Sequence, residues 1–224
     1  AGGTLGGIGD VLTVIGNSQL AGGSDVLNID ETADTANRVG TLTSSGLTGL
    51  GMTGAINYGL IEALNISLGS GSDAFTIVGT SQGTATVLNA NAGDDIVNMQ
   101  AISGPTTINA GAGNDTFNVG SNANGTAALP NNNAGGTLRG IDDVLTLNGN
   151  AQLTGGRDVI RIDDSGDTAN TTGTLTAVSL TGLGMAGSLT YGTVETLDLN
   201  LGSGDNKLTI AGTNATTATT LNMS

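Results

Sequence analysis

The sequence predicts an all-β chain wound as a parallel β-solenoid of the β-roll or β-helix kind, with about 20 residues per coil and little or no helix. Three observations predict it. The chain repeats itself over a long interval, it alternates apolar and polar residues in short runs, and glycine-rich acidic turns recur between those runs. Composition agrees with a slender fold. Of 224 residues 39 are Gly and two are Pro, and the aromatics are two Tyr and two Phe. The apolar share of 37% therefore comes from Leu, Ile, Val and Ala, which fill a thin core better than a thick one.

The long repeat comes first. Ala1–Asn91 aligns without a gap on Ala134–Ser224, an offset of 133, with 53 of 91 pairs identical. AGGTLGGIGDVLTV at Ala1 returns as AGGTLRGIDDVLTL at Ala134, and LTGLGMTG at Leu47 returns as LTGLGMAG at Leu180. Residues 1–133 form one complete unit and residues 134–224 a second, truncated copy, so the pattern reads as a window on a longer array. Residues 121–133, polar and rich in Gly and Asn, are expected to form the loop at the boundary, as a linker or an edge protrusion.

A shorter pattern runs inside the long one: an acid followed by strict apolar alternation. It reads Asp10-Val-Leu-Thr-Val, Asp25-Val-Leu-Asn-Ile, Asp73-Ala-Phe-Thr-Ile, Asp95-Ile-Val-Asn-Met, Asp115-Thr-Phe-Asn-Val, Asp143-Val-Leu-Thr-Leu and Asp158-Val-Ile-Arg-Ile. An eighth version, Asn206-Lys-Leu-Thr-Ile, has lost its acid. A period of two is that of a β-strand. Asp73, Asp95 and Asp115 follow at intervals of 22 and 20 residues, which stacks their turns along one edge. The opposite turns, TSQGT (Thr80–Thr84) and ISGPT (Ile102–Thr106), carry no acid. Only GLIEAL (Gly59–Leu64) has room for a turn of helix.

Charge and missing residue types narrow the function. Nineteen acids against five bases leave a formal charge of −14, which disfavours nucleic acid as a partner. Without His or Cys there is no Ser-His-Asp or Cys-His nucleophile, no zinc site of the usual kind and no disulfide. What remains is oxygen chemistry, the ligand set of a hard cation such as calcium. No run of 18 apolar residues exists, so membrane insertion is not expected, and any export signal is expected to lie outside this sequence.

GAGNDTFNV (Gly111–Val119) and GSGSDAFTI (Gly69–Ile77) resemble the G-x-G-x-D-x-U-x core of the calcium-binding RTX, or haemolysin-type, repeat. The surrounding unit is similar to the repeats of very large bacterial surface and adhesin proteins that carry such motifs. The resemblance implies an extracellular or cell-surface location and Ca²⁺ held between successive turns. Asp73, Asp95 and Asp115 would be ligands, with Gly69, Gly71, Gly93, Gly111 and Gly113 supplying the turn backbone. The sequence departs from that family in placing good motifs on one edge only, in having Asn91 where a Gly is expected, and in Asn206.

Three unpaired carboxylates at ~5 Å spacing would repel by about 3 kcal/mol per neighbouring pair at an effective dielectric near 20. A divalent cation relieves that repulsion, and the alternative is that each Asp caps turn backbone. A second acidic group, Asp30, Glu31 and Asp34, recurs as Asp163, Asp164 and Asp167; such a loop can fold around one cation or stay solvated. Glu62 and Glu195, each four residues after a Tyr, are expected to satisfy turn backbone.

The expected function is a structural and adhesive module of a bacterial extracellular fibre or giant surface protein, calcium-stabilised and self-assembling into filaments. Its partners would be copies of itself or adjacent repeats, and surface glycans or matrix. No enzymatic activity is expected. The alternatives are a carbohydrate- or ice-binding solenoid along a Thr/Asn face and, behind it, a β-helix polysaccharide-modifying enzyme. The scattered bases Arg38, Arg139, Arg157, Arg161 and Lys207 argue against the enzyme.

Overall fold

A computed structural model describes residues 2–17, 23–149 and 157–223. The first repeat contributes β1 (Val11–Ile15), β2 (Val26–Asp30), β3 (Val39–Thr43), β4 (Gly46–Gly49), β5 (Ala55–Gly59), β6 (Ala63–Ser67), β7 (Ala74–Ile77), β8 (Ala85–Asn89), β9 (Ile96–Met99), β10 (Thr106–Asn109) and β11 (Thr116–Val119). The second contributes β12 (Val144–Asn148), β13 (Val159–Asp163), β14 (Thr172–Leu175), β15 (Ser179–Gly182), β16 (Ser188–Gly192), β17 (Thr196–Asn200), β18 (Lys207–Ile210) and β19 (Ala218–Asn222). Among the described residues there is no helix. Gly59–Leu64 holds instead the end of β5, a turn with Leu60 at φ 55° and the start of β6.

The strands form two sheets. The first has ten strands in the order β1-β5-β4-β3-β7-β9-β11-β13-β17-β19, the second nine in the order β18-β14-β15-β16-β12-β10-β8-β6-β2. Successive strands alternate between the sheets, and most neighbours run parallel. Alternation places one side of each strand between the sheets. Phe75, Val97, Phe117, Ile160 and Leu197 stack in one inward column of the first sheet, and Leu64, Thr86, Thr106, Leu145 and Leu189 in the second. Nearly all are fully buried, and each large apolar side chain so placed contributes roughly 1.5–3 kcal/mol.

Two features differ from the expected regular parallel winding. First, β3-β4-β5 and β14-β15-β16 are antiparallel meanders inserted into otherwise parallel sheets. The repeated LTGLGM segment makes the reversal: Gly49, Leu50 and Gly51 all hold positive φ, as do Gly182, Leu183 and Gly184. Second, the 20-residue spacing is local. Paired residues lie 22 and 20 apart across β7-β9-β11 (Phe75, Val97, Phe117), but 43 apart from Phe117 to Ile160, because residues 121–133 intervene.

That intervening segment is neither a linker nor an edge protrusion. It lies across the outer face of the first sheet, clamped by two stacked asparagines. Asn118 Nδ2 donates to Asn98 Oδ1 and to the Pro130 carbonyl, both at 2.9 Å. Asn98 exchanges two bonds with Gly125, its Nδ2 donating to the carbonyl at 2.9 Å and its Oδ1 accepting the N–H at 2.7 Å. Both Asn side chains are thereby buried.

The two repeats are related in an unexpected way. Strands β1–β8 recur 133 residues later as β12–β19, yet every recurrence lies in the opposite sheet. The cause is arithmetic: residues 1–133 supply eleven described strands, an odd number, so alternation brings the next repeat in on the other side.

Candidate functional site

The strand ladders stop where the chain turns from one sheet to the other, which leaves the N–H of the residue before each strand without a strand partner. Carboxylates supply the acceptor. The N–H of Arg38 donates to Asp73 Oδ1, that of Asp73 to Asp95 Oδ1, that of Asp95 to Asp115 Oδ1, that of Asp115 to Asp158 Oδ1 and that of Asp158 to Glu195 Oε2, at 2.6 to 2.9 Å. Asp73, Asp95 and Asp115 do stack along one edge, and each bonds the backbone of the level below rather than its own turn. Glu62 does the same on the other edge, accepting the N–H of Asp25 at 2.7 Å.

A second column runs beside the first with the opposite sense. Asn37 Oδ1 accepts the N–H of Ser72, Ser72 Oγ that of Asp94, Asp94 Oδ1 that of Asn114 and Asn114 Oδ1 that of Arg157, at 2.8 to 3.0 Å. In each two-residue turn the outer side chain therefore binds upward and the inner one downward. Charge-assisted bonds of this kind are the stronger class, so the edge is stitched as firmly as the sheets.

The inner carboxylates are only half satisfied. Oδ2 of Asp73, Asp95 and Asp115 is buried and meets no hydrogen-bond donor. Burial pushes the Asp95 carboxyl up to about 8, with Asp115, Asp73 and Asp94 adding repulsion against the opposing Asp73 N–H. Burial likewise pushes Asp115 up to about 7 and raises Asp73. A buried acid with a free oxygen needs a proton or a cation.

The glycines are set by close approach between levels. Gly93 (φ 123°) and Gly113 (φ 147°) hold left-handed backbone, and a Cβ on either would collide with the carbonyl oxygen of Gly71 or Gly93 below it. Gly69, Gly71 and Gly111 sit equally tightly over Asp34, Ala36 and Asn91. Asn91 itself holds φ 74° and donates its Nδ2 to the Leu68 carbonyl at 2.6 Å, which is how this position tolerates a residue other than Gly.

The second acidic group disperses. Asp30 is exposed and bound to Thr32 and the Gly3 N–H, which lower its pKa, the Thr32 hydroxyl foremost. Asp34 accepts the Ala36 N–H at 2.8 Å and pairs with Arg38. Both lower its pKa, the Ala36 bond foremost. Glu31 is buried with neither oxygen bonded and is pushed to about 7 by that burial and by Asp34. In the second repeat Asp163 binds the Gly136 N–H at 2.6 Å, and Asp164 binds that of Leu138 and is pushed by burial to about 6. Asp167 accepts the Ala169 N–H and pairs with Arg139, and the Ala169 bond leads in lowering its pKa.

Sequence reasoning left two members out of the acidic column, Asp158 and Glu195, and missed that Arg38 sits between Asp34 and Asp73. Asp158 carried the strand signature, but the 43-residue step hid its place above Asp115. Asn206 holds the position of Asp73 in the second repeat. Its Oδ1 accepts the Thr171 N–H at 3.1 Å and its Nδ2 donates to the Gly202 carbonyl at 2.8 Å, so the amide is satisfied on both sides. Among the described residues no three acids converge in an arrangement that holds one metal ion. The column offers instead one free carboxylate oxygen per level beside turn carbonyls. No family model, curated protein or solved structure matches the chain.

Proposed function

We propose that the chain is a structural module, a β-solenoid segment of a bacterial extracellular fibre or surface adhesin, stabilised by calcium and without catalytic activity of its own. The observation that carries this reading is the edge column: five successive backbone N–H groups taken up by side-chain carboxylates, each leaving its neighbour level clamped. Such an edge resists unzipping, which is what a load-spanning repeat requires.

Calcium fits this edge through the free Oδ2 atoms of Asp73, Asp95 and Asp115 and the stacked turn carbonyls of Gly71 and Gly93, all hard oxygen donors. Bound there, it would supply positive charge to buried carboxylates in a chain of formal charge −14. The chain's own part is to hold those oxygens in register and to keep donors away from them. The polar groove of about 630 Å³ bordered by Ser81, Gln82, Ser103, Asp142 and Asp143 has no base among its lining residues, which supports a scaffold over an enzyme.

The test is a melt followed by circular dichroism in EDTA and then in millimolar calcium. A rise of ten degrees or more that disappears in Asp95→Ala/Asp115→Ala supports the reading. An unchanged midpoint at pH 8 removes calcium from it and leaves a metal-free scaffold.

A further inference from the structure

The two ends of the molecule are unfinished in complementary ways. Leu12 of β1 is 46% exposed, whereas its counterpart Leu145 is 0% exposed; Ile210 of β18 is 55% exposed against 0% for its counterpart Ile77. The chemistry is the same in each pair, so the difference is a missing neighbour. β1 and β2 each have one strand partner, as do β18 and β19, which leaves four open strand edges.

We propose that the β18–β19 face of one chain receives the β1–β2 face of a second copy of the same chain, β1 adding to the second sheet beside β18 and β2 adding to the first sheet beside β19. The register is Leu208↔Leu12, Ile210↔Val14, Thr219↔Leu27 and Leu221↔Ile29. This rests on the solenoid reading above and names its partner.

The molecule contains its own template for the contact. β18 and β19 are the second-repeat counterparts of β7 and β8, and in the first repeat those strands carry β9 and β10. The segment Asp10-Val-Leu-Thr-Val matches Asp95-Ile-Val-Asn-Met of β9 position by position in character. Leu27 and Ile29 fall where Thr106 and Ile108 of β10 point inward. Seen from the other side, the counterparts of β1 and β2 are β12 and β13, which rest on the consecutive strands β10 and β11, first on first and second on second. Placing β1 on β18 and β2 on β19 keeps that order and a continuous climb. The opposite assignment, β1 on β19, would put the later strand β2 lower than the earlier one and leave a gap of a full level. The incoming copy thus arrives with its sheets exchanged, the relation the two repeats already have.

Charge favours this junction. Asp10 lands above Asn206, which is neutral, and Asp25 above Thr217, so no carboxylate meets another across it. Lys207, the chain's one lysine, lies on the receiving face.

The chain has no cysteine, which makes the register directly testable. Thr13 and Thr209 face outward, opposite each other in the proposed contact, at the ~4.8 Å strand spacing that a disulfide spans. Thr13→Cys is mixed under mild oxidation with Thr209→Cys or, separately, with Thr220→Cys. The expected result is at least tenfold more T13C–T209C heterodimer than T13C–T220C, and a ladder of oligomers from the T13C/T209C double variant. Preferential T13C–T220C linkage overturns the register, and a single monomeric species over a concentration series overturns the docking. The calcium melt on the same variants reports on the module separately: a folded, calcium-responsive monomer sinks the docking alone, whereas loss of a cooperative melt sinks the solenoid reading.

Discussion

Arg38 and Arg139 deliver guanidinium groups to equivalent carboxylates, Asp34 and Asp167, from places in the two repeats that are not equivalent. The counterpart of Arg38 is Thr171 and that of Arg139 is Gly6. Both side chains pass close to the equivalent glycines Gly51 and Gly184 to reach their acid. The requirement is therefore for a positive charge at that point in space, beside Glu31 in one repeat and Asp164 in the other, and two sequence solutions meet it.

Removing that charge exposes what it offsets. Arg38→Ala should lower the melting midpoint by several degrees in low salt, more than Arg157→Ala, because Glu31, Asp34 and Asp73 then face one another uncompensated. The pairs are part-exposed, so the loss stays near ~1 kcal/mol and shrinks at 0.5 M salt. Equal effects of the two substitutions would show that the pairing contributes nothing.

Stability without metal should fall as pH rises. Asp95, Asp115 and Glu31 are pushed up to about 8, 7 and 7, chiefly by burial, so the fold holds their protons better than the unfolded chain does. Their contribution is complete below the ordinary carboxylate range and is lost as pH climbs through 7 to 8. Asp34 and Asp167, lowered by backbone N–H bonds, act the other way, losing their contribution as pH falls through the acid range. In EDTA the midpoint should be higher at pH 5 than at pH 9; a flat or rising profile refutes protonation of the column.

Asn206 predicts the outcome of a substitution at Asp73. In Asp73→Asn the amide can keep the Arg38 N–H on its oxygen and donate its nitrogen toward the Gly69 carbonyl, as Asn206 does toward Gly202. In EDTA at pH 9 this variant should melt at or above the parent, whereas Asp73→Ala, which strands the Arg38 N–H, should lose about 1–3 kcal/mol. If both variants lose equally, the acceptor is not what holds the turn.

Gly113→Ala should be among the most damaging small substitutions. It forces a Cβ against the Gly93 carbonyl from a backbone at φ 147°, and at least about 2 kcal/mol is expected. Gly79→Ala, where a Cβ meets nothing within 4 Å, is the control, and denaturant melts of the pair separate steric conflict from loss of chain flexibility. A Gly113→Ala midpoint as high as that control would remove the close approach from the account.

Much of this was legible in the sequence, because period-two alternation and the repeated acid before each strand are local signals. Asp73, Asp95 and Asp115 could be stacked from spacing alone, since only 22 and 20 residues separate them. The meanders were not legible: VGTLT and LTG have the same alternation whichever way the neighbour runs, and nothing in Gly49-Leu50-Gly51 says that the chain reverses within one sheet. Nor was the clamp on residues 121–133, which depends on Asn98 and Asn118 facing outward on adjacent strands. The glycines were assigned to turns correctly, but their reason, a carbonyl from the level below, belongs to the stack and not to the motif.

The exchange of sheets between repeats also bears on mechanics. Each meander adds two strands to one sheet only, about 10 Å of extra height on that side, and an array that always added them on the same side would curl. Here β3 and β4 lengthen one wall and β14 and β15 the other, so each wedge is answered by its opposite one repeat later. An odd strand number is thus a straightening device, and a single residue block that added or removed one strand per repeat would turn a rod into an arc.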